Sequence, residues 1–376
     1  MVLAGICAFL SLYVTQPILP LLERTFHATK GAISFTVTAS TLGIALAAPF
    51  MGRLADRYGR RRVMLLSALL VGRTSLVAAT SASLAQLIFW RFVQGVFTPG
   101  IFAVTVAYIN DEWPLESTGS AMAAYVTGTV VGGFSGRAIS GLVAEHAPWQ
   151  WSCVVLGLLD LALTAALWRW LPRERGSPPS GAGAFFGPAA DHLRNPRLLA
   201  RYGVGFCVLF SLVAAFTYVT FYLAAPPFSL SPALLGSIFV VYLIGAVLTP
   251  LAGRWVDRVG SRRMLMFAAT IGIAGIALTL APHVLAVAAG LAICCTGVFI
   301  AQTAISSSLG LCATHDRALA VGLYATFYYL GGSAGASLPA LAWRAGGWTA
   351  CVALIAAVQL CTLAIAWRTF REPVAR

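Results

Sequence analysis

Twelve long apolar runs set the fold class of this chain. They lie near residues 1–22, 32–51, 63–81, 85–109, 118–143, 149–171, 199–223, 231–252, 264–281, 284–310, 317–342 and 347–367. Each approaches the length that crosses a hydrocarbon core of about 30 Å. Lipid offers no partner to an open backbone N–H or C=O, so each run has to close its hydrogen bonds internally, as a helix. We number them α1–α12. Composition points the same way: 59% of the 376 residues are hydrophobic and 10% are charged, against about 25% charged in soluble domains. The expected fold is an all-α integral membrane protein with twelve transmembrane helices in two pseudo-symmetric six-helix bundles.

The net charge of +13 would suit a nucleic-acid binder, but its distribution does not. Of the 25 Lys and Arg residues, Arg24, Lys30 and Arg344 fall on one side and Arg73, Arg91 and Arg137 fall inside spans. All the others lie in or beside the opposite set of alternate loops and the tails. This asymmetry follows the positive-inside rule, so both termini are expected in the cytoplasm and no nucleic-acid partner is expected. The eight cysteines sit in or at the edges of apolar runs, none with metal-ligand spacing to histidine, and read as small packing residues. The five histidines are scattered in loops or at span ends, with no clustered nucleophile and base, so no enzyme activity, metal or cofactor is expected. No G-x-x-x-x-G-K-[ST] motif is present, which excludes direct drive by ATP through such a loop. The first segment lacks a basic leader, so no cleavable signal is expected, and Met1 opens almost inside α1.

The segment 172-PRERGSPPSGAGAFFGPAADHLRNPR-197 interrupts the apolar pattern with Pro, Gly, Ser and charge, and reads as a linker. The expected organisation is a bundle at 1–171, a cytoplasmic linker at 172–198, and a second bundle with a short tail at 199–376. The two halves repeat. The stretch 52-GRLADRYGRRRV-63 returns as 253-GRWVDRVGSRRM-264, offset by 201. The stretch 132-GGFSG-136 returns as 331-GGSAG-335, and Trp149 as Trp348, offset by 199. In α4, 95-GVF-97 returns as 297-GVF-299, offset by 202, and 13-YVT-15 returns as 218-YVT-220, offset by 205. Matches in order at nearly constant offset indicate a duplicated six-helix unit, as in many transporters.

These features resemble the major facilitator superfamily, and the likeness covers all twelve spans and the linker. The sentence G-x-L-a-D-r-x-G-r-r between α2 and α3 matches Gly52, Leu54, Asp56, Arg57, Gly59, Arg60 and Arg61. The R-x-x-Q-G pattern of α4 matches Arg91, Gln94 and Gly95. The segment 11-SLYVTQPILPLL-22, with GG-x-x-GR in α5, resembles the bacterial twelve-helix efflux branch, drug/proton antiporters among them. One departure stands out: Arg137 follows Gly136 where the antiporter pattern has proline.

The doubled sentence suggests a gate. Gly52 and Gly253 are expected where the backbone turns or approaches a neighbour, and Gly59 and Gly260 where a turn ends with positive φ. The resemblance implies that Asp56 meets the start of α11, and by the repeat Asp257 would meet the start of α5. Arg57 and Arg258 flank these acids. Arg60 or Arg61 is expected to pair with Asp111, Glu112 or Glu116, and Arg262 or Arg263 with Asp316.

Helix spacing puts Arg91, Gln94, Thr98 and Thr105 on one face of α4. The resemblance implies that α1, α4, α7 and α10 line a substrate cavity, with Tyr13, Gln16, Gln94, Thr98, Tyr218, Tyr222 and Gln302 as candidates. Charges at membrane depth are functional candidates. Arg91 belongs to both motif and stripe. Asp160 in α6 is the deep acid; it carries a proton or pairs with Arg73 of α3.

The leading expectation is a secondary transporter in a bacterial inner membrane, acting as a monomer: proton-coupled efflux of small apolar or amphipathic compounds. A symporter or sugar-type exporter on the same fold is the alternative. A transport-inactive sensor is more remote, because no loop is long enough to form a signalling domain.

Overall fold

The computed structural model describes residues 1–172, 174, 191–312 and 317–370. Among these, every regular element is helical. Contacts divide them into two units, one within Met1–Gly183 and Ser229–Phe239, the other within Ala184–Phe228 and Val240–Arg376. Of the expected linker, residues 173 and 175–190 lie outside the described residues.

All twelve expected spans are present as helices. In the first unit α1 is Val2–Phe9 and Leu19–Phe26, α2 is Lys30–Tyr58, and α3 is Arg60–Ala78. Span α4 is Leu84–Phe97 followed by Pro99–Glu112, α5 is Leu115–His146, and α6 is Gln150–Trp170. Span α7 is Pro196–Ala224, and α8 runs as Pro232–Ser237, a 3₁₀ turn Ile238–Val240, and Val241–Val259. Spans α9 and α10 are Ser261–Leu278 and Val284–Cys312, and α11 starts as Arg317–Ser337. The helix Pro339–Thr369 bends at Gly346–Gly347, so its first turns prolong α11 and the remainder is α12.

Among the described residues, seven helical stretches are long and apolar enough to cross a membrane. The others fall short for visible reasons. Spans α1 and α8 are broken, α3 carries Arg60, Arg61, Arg62 and Arg73, and α5 and α11 are diluted by glycine, serine and tyrosine.

The repeat is visible in packing. In the first unit α5 crosses α1 so closely that a Cβ on Gly136 would overlap the Leu10 carbonyl oxygen, and one on Gly132 would lie 2.6 Å from that of Ile6. In the second unit Gly335 and Gly331 of α11 stand in the same way against Phe210 and Phe206 of α7. Small residues let helix backbones approach where lipid supplies no hydrophobic drive for association.

The charged sentence is not the loop expected. Span α2 stays helical through Tyr58 and α3 begins at Arg60, leaving Gly59 alone between them with φ 91°; Gly260 repeats this with φ 88°. That conformation favours glycine, as expected at these two positions. Gly52 and Gly253 do not turn the chain. Both lie inside helices, and a Cβ on either would meet no described atom within 4 Å.

Candidate functional site

The first unit is built around a broken helix. Span α1 was expected to be continuous, but residues 10–18 form turns. Pro17 explains the break, since it has no N–H and its ring clashes with the carbonyl four residues back. Across the gap the backbone uses tighter i→i−3 bonds: Val14 N to Ser11 O at 3.3 Å, Gln16 N to Tyr13 O at 3.0 Å and Ile18 N to Thr15 O at 3.2 Å. Carbonyls that a regular helix would occupy become available to side chains.

Buried Arg91 takes two of them, and a second buried arginine, Arg137, packs beside the break. Arg91 of α4 is 1% exposed. Its guanidinium donates to Ser11 O at 2.9 Å, to Leu12 O, to Thr36 O of α2 at 3.5 Å, and to Gln94 Oε1 one turn along its own helix. Arg137 of α5 donates to Gln16 Oε1 at 2.8 Å and to Gly133 O at 2.5 Å. Its Cζ lies 4.3 Å from the Tyr13 ring centroid and 4.8 Å from that of Phe239, the geometry of cation–π contacts. Ser140 Oγ, three residues on, donates to Val14 O at 2.6 Å. Thus α4 and α5 together hold the irregular stretch of α1.

Asp160 joins this cluster. It is fully buried in α6. Ser11 Oγ donates to its Oδ2 at 2.5 Å, and Gln94 Nε2 donates to Ser11 Oγ at 2.9 Å. Asp160 Oδ1 has no hydrogen-bond partner among the described residues. Arg73 is exposed rather than paired with Asp160, so that expected ion pair is corrected: the acid's partner is Ser11 of α1. Thr98 and Thr105 satisfy their hydroxyls on their own helix, at Gln94 O and Ile101 O, as do Ser34, Thr38 and Thr41 in α2.

At the helix ends Arg60 bonds Asp111, lies 3.5 Å from Asp56 Oδ1, and donates to Ala107 O at 2.7 Å. It is therefore Arg60 that pairs with Asp111. Arg61 instead holds the end of α6, donating to Trp168 O at 2.8 Å and Leu171 O at 3.1 Å, while its backbone N–H donates to Glu174. Arg57 lies over Tyr58 at 5.4 Å, and Arg262 over Trp367 at 4.5 Å. Arg258 is exposed near the end of α8. Asp316 and the side chain of Asp257 lie outside the described residues.

The second unit places its candidates differently. Tyr218 O–H donates to Ala336 O at 3.0 Å, Tyr222 stacks on Trp348 at 5.5 Å between centroids, and Gln302 Oε1 accepts from Tyr324 O–H at 2.6 Å.

The family model described as Major Facilitator Superfamily matches residues 1–227 and 223–376. The chain belongs to that superfamily. As a superfamily member it is 32% identical to the uncharacterized MFS-type transporter YybF of Bacillus subtilis, over 96% of this chain and 90% of that protein. It is 30% identical to the inner membrane transport protein YnfM of Escherichia coli, over 98% and 89%. Among solved structures, an inward-facing, occupied bacterial homolog of the human lysosomal transporter Spinster has a TM-score of 0.78 at 16% identity. That alignment covers 100% of this chain and 97% of that one, and it shows the shared fold. The chain is thus a multi-pass membrane protein of a transporter family.

Sequence reasoning had selected Arg91, Gln94, Tyr13, Gln16 and Asp160, and the superfamily fold brings all five to the α1 break. It missed Ser11 and the carbonyls of Leu12 and Thr36. The prolines at 17 and 20 carried the signal for the break.

Proposed function

We propose that the protein is a proton-coupled exporter of small apolar or amphipathic compounds, working by alternating access. One observation carries the reading: a fully buried carboxylate, Asp160, ends a hydrogen-bond chain that begins at the buried cation Arg91. A buried acid is a proton site, since burial makes its charged form costly and its neutral form accessible. Arg91 stays charged, so it holds the carboxylate form and is not itself the carrier. The largely apolar interior, with aromatic, amide and hydroxyl groups, suits amphipathic cargo better than sugars. Efflux is supported by the sequence likeness of α1 and α5 to the efflux branch.

The remaining elements fit this reading. We place both termini in the cytoplasm on the arginine distribution, treat 1–171 and 199–376 as the two functional halves, and take the chain to work as a monomer. The doubled sentence with Asp56 and Asp257 serves as a gate on the cytoplasmic side. The test is a growth screen over a broad compound panel in a host lacking efflux pumps, followed by flux in proteoliposomes under an imposed pH gradient. Protection by the protein and flux that follows the gradient are expected. Flux indifferent to any pH gradient would end the proton reading.

A further inference from the structure

The chain from Arg91 to Asp160 has a direction, and a residue outside the family motifs sets it. Arg91 N–H points to Gln94 Oε1, Gln94 Nε2–H points to Ser11 Oγ, and Ser11 O–H points to Asp160 Oδ2. Every donor faces the carboxylate. Ser11 is 1% exposed and lies on the broken stretch of α1, whose Ser11 and Leu12 carbonyls Arg91 also grips. One side chain therefore links a titratable acid on α6 to the backbone irregularity that α4 clamps.

We infer that Ser11 is a positioning residue that transmits the protonation state of Asp160 to the α1 break, tightening the Arg91 clamp when the acid is ionised and loosening it when the acid is neutral. This rests on the proposed proton role of Asp160. The physical step is simple. Uptake of one proton turns the carboxylate into a carboxylic acid, and the Ser11 bond loses its charged acceptor. Charge-assisted hydrogen bonds are roughly twice as strong as neutral ones. A proton on Oδ2 makes that oxygen a donor to Ser11 Oγ. Ser11 then accepts from both Asp160 and Gln94 and has to turn its own hydrogen to another acceptor. The tie between Ser11 and the acid is then weaker, and the stretch that Arg91 grips by the Ser11 and Leu12 carbonyls is held less firmly.

The surroundings leave this route open. From α1, Cys7 and Ser11 are the titratable or polar groups that interact with Asp160. From α3, Arg73 is exposed, and Ser75 is committed to Cys153 O at 3.0 Å. From α5, Arg137 is directed at Gln16, Gly133 and Tyr13. On α6 itself Thr164 bonds the Asp160 carbonyl at 2.7 Å, and α4 reaches the acid only through Gln94 and Ser11. The charged group in line with Asp160 is Arg91, and the line passes through one hydroxyl.

The test needs no substrate. Amide hydrogen exchange of the segment 10–18 is measured in the detergent-solubilised full chain across pH, corrected for intrinsic exchange. In the unmodified protein, exchange should be about tenfold faster with Asp160 protonated than ionised, the effect of losing one charge-assisted bond. Asp160→Asn should hold the segment in the fast state at all pH. Ser11→Ala should abolish the pH response, and Ser11→Thr, which keeps a hydroxyl, should restore it. A pH response in Ser11→Ala equal to that of the unmodified protein, or no response in the unmodified protein, overturns the inference. Failure of proton coupling itself shows separately, as transport blind to a pH gradient.

Discussion

The two units share a scaffold and differ in chemistry. In both, a glycine-lined helix packs hard on the first helix of the unit: Gly132 and Gly136 on α1, Gly331 and Gly335 on α7. In both, a lone glycine with positive φ follows the charged sentence. Yet α1 is broken over 10–18, whereas α7 runs unbroken from Pro196 to Ala224. The repeat offsets identify what occupies the equivalent positions. Arg91 of the first unit corresponds to Ile293, Arg137 to Ala336, Asp160 to Gln359 and Ser11 to Phe216. Every charged member of the cluster is neutral in the second unit. The buried Gln359 there donates only a long contact to Cys294 Sγ, at 3.8 Å. Duplication has preserved backbone approach, which glycine enforces locally, while among the described residues the polar cluster is found in the first unit. Its position coincides with the break, where the Ser11 and Leu12 carbonyls of irregular backbone both accept from Arg91.

The sharpest way to break this contrast is to mutate equivalent positions. Arg91→Ala should abolish gradient-driven transport and remove the Arg91 donor from the Leu12 carbonyl, leaving Ser11 O with the Val14 N–H, at about 1–3 kcal/mol for a buried acceptor left without a partner. Ile293→Ala should leave coupling intact. Flux in proteoliposomes and thermal melting of the purified variants check both arms; equal loss at the two positions would erase the asymmetry. Next come the shared scaffold positions. Gly136→Ala and Gly335→Ala each put a methyl group into a backbone carbonyl, and both should destabilise by about 1–3 kcal/mol. Melting temperatures that fall in only one unit would show that the packing is not equivalent.

A smaller effect is expected at the doubled sentence. Asp56→Asn and Asp257→Asn should each leave the protein inserted and lower transport, with the second weaker because Ser261 stands where the first loop has Arg60. Normal transport in both would remove the gate. The smallest effect concerns Glu145, beyond the apolar part of α5. The Ser231 hydroxyl at 2.7 Å, then the Ala233 N–H at 2.9 Å, hold its carboxyl below the usual carboxylate range. A depressed folded value means the stabilisation is present above the unfolded pKa and is lost as pH falls through the folded one. Glu145→Gln should therefore lower the melting temperature slightly near neutral pH and converge with the unmodified protein in acid. A difference that grows in acid would refute the assignment.

The spans, the repeat and the buried charges were legible because apolar length, constant offsets and charge in a greasy run are all one-dimensional signals. The exits from α2 and α8 were legible in part. Gly59 and Gly260 announced positive φ, but Gly52 and Gly253 suggested a turn that the helices do not make, since both glycines lie inside helices. The break in α1 was obscured because its apolar pattern continues through Pro17. The partner of Asp160 could not be read at all. A serine in an apolar helix ordinarily bonds its own backbone, and only the three-dimensional meeting of α1, α4 and α6 gives Ser11 an acid to face.

The central claim is that the first unit alone holds the proton switch, and Asp160→Asn tests it most directly. The variant is reconstituted in proteoliposomes with a pH-sensitive dye inside and a compound selected by the growth panel outside. The account predicts that binding and equal-pH exchange of that compound persist while gradient-driven flux and the accompanying proton movement disappear. Undiminished proton-linked transport in Asp160→Asn would contradict it.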